Sequence, residues 1–404
     1  MSAAPTDRDQ ARAQRVAWVV LGVGVSSALH IGKLPVAIPV LRDAMGVSLV
    51  QAGFLLSMVQ LAGMTLGLLV GLAADRFGPR RVMQTGLLLL ALASALGASA
   101  QEVRWLLASR ALEGLGFLLS VLPAPGLLRQ RVAHPATLSK ALGWWGAYMP
   151  LGAAIALLSG AALIGVVGWR GAWLVLSVVS VFAWAVLTWQ VRPQLPCDPH
   201  AKPAPLGPRL RRTLSAPGPW LVALGFFLYS GQWLAVVGFL PTVYQQAGYT
   251  GGLVAVLTAL AAAVNIIGNV MAGRLLAQGV GPGRLMGIAY GVMGLGAVVA
   301  FADGVPPMLA YAAVLLFSAV GGLIPGTLFG VSVRLAPDNN TVSTTVGWMQ
   351  QLSALGQFLG PPVVAWIASV AGNWHWTGLA TGACSVVGFW VAARVQRAWV
   401  VLSR

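Results

Sequence analysis

Acidic residues are scarce in this chain: nine Asp and Glu stand against 25 Lys and Arg in 404 residues, and charged residues make up 8% of the total. Soluble domains carry about 25% charged residues, so an ordinary water-soluble fold is excluded. The two cysteines, Cys197 and Cys384, give neither a disulfide framework nor a metal-ligand spacing. No nucleophile–base set, metal cluster or phosphate loop is present, so the sequence reads as a non-enzyme with no cofactor. What is there is apolar. Hydrophobic residues reach 58%, the composition of an integral membrane protein. The polar start, Met1–Arg15, precedes an apolar run too long for a cleaved signal, and this run is read as a retained first helix.

Twelve apolar segments are long enough to span, at roughly 20 residues each. The first six are Val16–Val40, Gln51–Ala73, Val82–Ala100, Trp105–Leu128, Leu138–Val166 and Ala172–Val191. The second six are Trp220–Tyr244, Leu253–Leu276, Leu285–Ala302, Met308–Val333, Val342–Val370 and Trp376–Ala393. An even number puts both termini on one side. Twenty basic residues fall at segment ends on that side, and only Arg42, Arg104 and Arg170 fall on the other. The positive-inside rule then predicts cytoplasmic termini, in a bacterial inner membrane. The basic excess is therefore a topology signal, and no nucleic-acid partner is expected.

The expected organisation is a six-helix bundle over 1–191, a cytoplasmic linker over 192–219 and a second bundle over 220–404. The linker is rich in Pro and Arg, lacks apolar periodicity and reads as extended, in places polyproline-like. The halves look duplicated. Gly71–Asp75 has a counterpart in Gly273–Ala277, Gly143-Trp144 recurs as Gly347-Trp348, and Trp169 recurs as Trp374, at offsets of 202, 204 and 205 residues. In the second copy, Ala277 stands where Asp75 stands in the first.

Between the second and third segments runs GLLVGLAADRFGPRR, Gly67–Arg81. Glycines let the chain reverse, and the arginines hold the turn in the cytoplasm. Asp75 gains nothing from that rule and is free to cap a helix or bind cations from a neighbouring helix end. The pattern G-x-x-x-D-R-x-G-x-R-R, on Gly71, Asp75, Arg76, Gly78, Arg80 and Arg81, resembles the signature loop of the major facilitator superfamily of secondary transporters. That resemblance implies an all-α membrane fold of twelve transmembrane helices in two pseudo-symmetric six-helix halves. It also makes these six residues a conformational gate. A fainter resemblance, in the first segment and in NIIGNVMAGRLL, points to the cyanate-permease-like branch.

Polar groups inside spans are costly and hence candidate sites. His30 and Lys33 share a face of the first segment at i, i+3. They point either into a cavity or, for Lys33, outward by snorkelling. Arg110 and Glu113 repeat that spacing in the fourth segment. Arg110, Gly114 and Gly116 resemble the superfamily's R-x-x-x-G-x-G pattern, whose arginine faces the central cavity. Glu113 either supports Arg110 as an ion pair or carries a proton. In the fifth segment GWWGAYMPLG resembles in part the glycine–proline motif of drug–proton antiporters, and Tyr148 there lines the cavity or faces lipid. The second half offers neutral groups, among them Gln232, Asn265, Asn269 and Gln350, for helix–helix hydrogen bonds or a substrate path.

The interior charge is net positive, so the expected activity is alternating-access transport of a small organic or inorganic anion, coupled to protons. Lys33, Arg110, His30, Tyr148, Gln232, Asn265 and Gln350 are the expected substrate residues, and Glu113 or His30 the proton carrier. Arg110 repels Lys33 and Glu113 pairs with Arg110, so Lys33 is expected to find its counter-charge in the substrate. The alternative is a proton-driven multidrug exporter. A monomer is expected, with the substrate, protons and the lipid bilayer as partners.

Overall fold

The computed structural model describes residues 7–132, 135–192, 206–338 and 341–402. Residues 193–205 of the expected linker, with Cys197 and Lys202, lie outside the described residues, as does the side chain of Asp75. Eleven described helical stretches are long and apolar enough to cross a membrane. One of them, Tyr148–Gln190, has 43 residues. At 1.5 Å per residue it would be about 65 Å long, twice the ~30 Å apolar core of a bilayer. It reverses at Gly168, whose φ of 70° and ψ of 171° lie outside the helical region. A side chain there would be strained, so glycine permits the turn. Counted on either side of Gly168, the described residues hold twelve spans.

The first span is Asp7–Met45, the third Pro79–Ala98, the seventh Pro217–Gln246, the ninth Pro282–Ala300, the eleventh Val342–Ala371 and the twelfth His375–Leu402. The others are interrupted. The second breaks through a 3-10 turn, Met58–Gln60, between Leu49–Ser57 and Leu61–Phe77. The fourth pairs Val103–Val121 with Ala124–Arg131, and the fifth begins as Pro135–Trp145 before Tyr148. In the second half the eighth span breaks between Gly251–Ala263 and Asn265–Ala277, and the tenth between Pro307–Gly321 and Leu323–Leu335. The breaks near positions 60 and 264, and at 122 and 322, fall close to the repeat offset read from the sequence. Interrupted helices of this kind are a common device of transporters built from repeats.

The linker departs from expectation. Residues Leu206–Ser215 form a helix instead of extended chain. Its leucines recur at four-residue spacing, with Arg209, Arg211 and Arg212 between them, so one face can pack while the other stays charged. Thr213 is buried against Thr344, hydroxyl to hydroxyl at 2.6 Å. Arg212 reaches Asp338 at 3.3 Å. The helix is thus fastened to the start of the eleventh span.

The signature turn is built as expected of a tight reversal. Gly78 (φ 86°) ends the second span and Pro79 opens the third. Arg80 donates to the carbonyls of Val191 (2.6 Å) and Thr188 (2.9 Å), capping the otherwise orphaned end of the sixth span. The halves meet most closely along the second and eleventh spans. There Gln60 donates to Gln357 at 3.0 Å, and Gln351 donates to the Met64 carbonyl at 2.7 Å. On the side away from the N-terminus, Leu34, Ile38, Leu55 and Leu56 pack with Ala235, Phe239, Val364 and Ala365 in one apolar cluster drawn from both halves.

Candidate functional site

Four of the predicted residues come together inside the first half. His30, Lys33, Arg110 and Glu113 are each at most 4% exposed. The i, i+3 spacing presents one pair from the first span and one from the fourth. Gly114 lets the fourth span lie close against the second: a Cβ there would strike the Val59 carbonyl.

Glu113 is the hub. Its Oε2 accepts from Arg110 Nη1, and its Oε1 accepts from Lys33 Nζ at 2.5 Å. Lys33 also donates to Ser94 Oγ at 3.0 Å and to His30 Nδ1 at 3.4 Å. Its ammonium lies 4.3 Å from the Trp173 ring centre, a cation–π contact that adds to its support. Since Nδ1 of His30 accepts, the proton of a neutral ring sits on Nε2, which lies 2.9 Å from Ser180 Oγ. Ser180 then donates to the Leu176 carbonyl and Ser94 to the Trp173 carbonyl. Arg110 further donates to the carbonyls of His30 (2.9 Å) and Leu55 (3.3 Å). Its Nη2 is buried with no hydrogen-bond partner.

This geometry corrects the expectation for Lys33. The lysine does not wait for a substrate anion, because Glu113 bridges Lys33 and Arg110 through its two oxygens. A carboxylate can serve two cations at once, whereas helix spacing alone pairs it with Arg110. Nor does Lys33 snorkel outward; it is buried. With neutral His30, the cluster of two cations and one carboxylate keeps a net charge of +1.

The remaining candidates lie apart from this network. Tyr148 stacks on Trp145, ring centres 4.4 Å apart. Both pack against an apolar cluster of Ile31, Val59, Phe117, Val121 and Leu234. Gln232 donates to Leu228 O and accepts from Ser385 at 2.9 Å, tying the seventh span to the twelfth. Asn265 donates to Tyr229 Oη (2.9 Å) and to Ser318 O (2.8 Å), joining the seventh, eighth and tenth spans. Asn269 donates to Asn265 Oδ1. Gln232 and Asn265 make helix–helix hydrogen bonds, the first of the two uses the sequence left open. Gln350 is half-buried on the eleventh span. Sequence reading missed Ser94, Ser180 and Trp173, since serine and tryptophan recur throughout the spans and carry no spacing signal of their own. Among the described residues no group of His, Cys, Asp and Glu is arranged to hold a metal ion.

Comparison with known proteins agrees with this architecture. Human monocarboxylate transporter 11 is 29% identical over 342 residues, covering 80% of this chain and 70% of that protein. The 2-nitroimidazole transporter of Escherichia coli is 26% identical over 346 residues, 83% of each chain. These relatives do not single out the cyanate-permease-like branch. The crystal structure of a bacterial homolog of the human lysosomal transporter Spinster, inward-facing and unoccupied, superposes with a TM-score of 0.77 over 99% of both chains at 15% identity, a likeness of fold. The family model of the Major Facilitator Superfamily matches residues 19–361. The chain belongs to that superfamily and is a membrane transporter, with no enzymatic role.

Proposed function

We propose that this protein carries a small organic or inorganic anion across the membrane by alternating access, in exchange or symport with protons. The observation that carries the reading is the orphaned Arg110 Nη2 in a buried cluster of net charge +1. An unmade hydrogen bond on a buried charged group is expensive. A carboxylate or comparable oxyanion would complete the guanidinium fork and neutralise the surplus charge.

Glu113 is the group such an anion would meet on Lys33 and Arg110. When a substrate anion approaches, it competes with Glu113 for Lys33 and Arg110, and a displaced Glu113 is free to take up a proton. His30, hydrogen-bonded between Lys33 and Ser180, is the other group able to carry it. The relative named for monocarboxylates supports the anion class. The two six-helix halves, 1–191 and 220–404, supply the rocking bodies, and the gate around Asp75 and Arg80 biases their states. The basic bias supports cytoplasmic termini, with the protein in a bacterial inner membrane.

One observation favours a second reading, export of hydrophobic drugs. The Trp145–Tyr148 stack packs on an apolar cluster drawn from the first, second, fourth and seventh spans. The relative named for a nitroimidazole supports that class. Uptake into proteoliposomes of a panel of carboxylates, tested against lipophilic cations, separates the two. Saturable carboxylate uptake is expected; carriage of the lipophilic cations alone would overturn the anion reading.

A further inference from the structure

A groove of about 960 Å³ runs between the first and sixth spans, on the half of those helices nearest the N-terminus. That volume is at the upper end of the roughly 300–1,000 Å³ typical of small-molecule sites. Its chemistry is graded along its length. Arg15 and Gln190 stand exposed at the outer end, and Trp18 follows, 60% exposed. Beyond Trp18 the lining turns to Phe182, Leu29 and Val179. Gly22 leaves the passage open, since a Cβ there would meet nothing within 4 Å. A cation at the mouth, an interfacial indole and then alkyl walls follow the polarity profile of one bilayer leaflet.

We propose that this groove binds one anionic phospholipid of the leaflet on the N-terminal side, with its phosphate on Arg15 and an acyl chain lying past Gly22 and Phe182 toward Leu29. Charge complementarity selects this occupant. An apolar helix of a second copy would leave the guanidinium at the mouth unanswered, and a water-soluble anion has no use for the apolar length. The groove reaches Val179, the neighbour of the Ser180 whose hydroxyl meets His30. A bound acyl chain therefore braces the wall on which the buried charges rest. This site is independent of what the transporter carries.

The test is native mass spectrometry of the purified full chain, incubated with phosphatidylglycerol or with phosphatidylcholine. The wild type is expected to retain one phosphatidylglycerol about fivefold more strongly than phosphatidylcholine, the effect of one basic residue at an anionic lipid surface. Arg15→Gln should abolish that preference while leaving phosphatidylcholine binding unchanged, and Arg15→Lys should keep it. Gly22→Phe, which fills the groove, should lower retention of both lipids. Gel filtration and thermal unfolding check that each variant folds, and if Gly22→Phe does not, the Arg15 pair decides alone. Equal retention of the two lipids by wild type, or an undiminished preference in Arg15→Gln, would overturn the proposal. So would a wild-type dimer that Gly22→Phe dissolves, since the groove would then belong to a second copy.

Discussion

Lys33 and Glu113, on the first and fourth spans, meet at 2.5 Å in the interior of the first bundle. Arg110 holds the other oxygen of the same carboxylate. Two helices are thereby joined through one acid, and any change to that acid is felt by both cations.

The first prediction concerns this shared acid. Removing one partner of a buried ion pair typically costs 3–5 kcal/mol, because the remaining charge is left uncompensated. Glu113→Gln should therefore lower the thermal unfolding temperature clearly. Lys33→Met should cost less, since Arg110 still answers Glu113. The double variant should recover part of the loss, because the surplus cation is gone. Strictly additive losses would show that the two side chains act independently.

The second prediction separates the gate from the site. Asp75→Asn should slow transport while leaving substrate affinity in purified protein nearly unchanged. The signature turn sits at the end of the second span, and on the proposed gating role its charge would bias one state against the other. A loss of affinity equal to the loss of rate would place Asp75 in the binding equilibrium instead.

The third prediction tests the tie between the signature turn and the sixth span. Arg80 caps the carbonyls of Thr188 and Val191. Arg80→Ala should destabilise the protein by about 1–2 kcal/mol, the scale of charge-assisted bonds at a helix end. Hydrogen exchange should speed up at the end of the sixth span and stay unchanged at the twelfth. Uniform acceleration across both halves would contradict a local cap.

Much of the fold was legible because its signals are repetitive. Apolar runs of spanning length and the turn at Gly78-Pro79 each read directly from residue type. The helix at Leu206–Ser215 was not legible, because its fastening is tertiary: Thr213 finds Thr344 and Arg212 finds Asp338 far along the chain. The same holds at the site. Spacing predicted that His30 and Lys33 share a face and that Glu113 answers Arg110. It could not say that the fourth span turns its carboxylate toward the first, since that is set by how the spans pack in three dimensions. Ser94 and Ser180 became meaningful only when the third and sixth spans placed them beside Lys33 and His30.

The most direct test of the central claim is anion uptake by proteoliposomes under an imposed pH gradient, with wild type and Glu113→Gln compared at matched reconstitution. Wild type should accumulate the carboxylate when the gradient is present and only equilibrate it when the gradient is dissipated. Glu113→Gln should lose the gradient-driven accumulation and still exchange labelled for unlabelled anion. Uptake that ignores the pH gradient in wild type, or an unaltered gradient response in Glu113→Gln and in His30→Gln alike, would contradict the account.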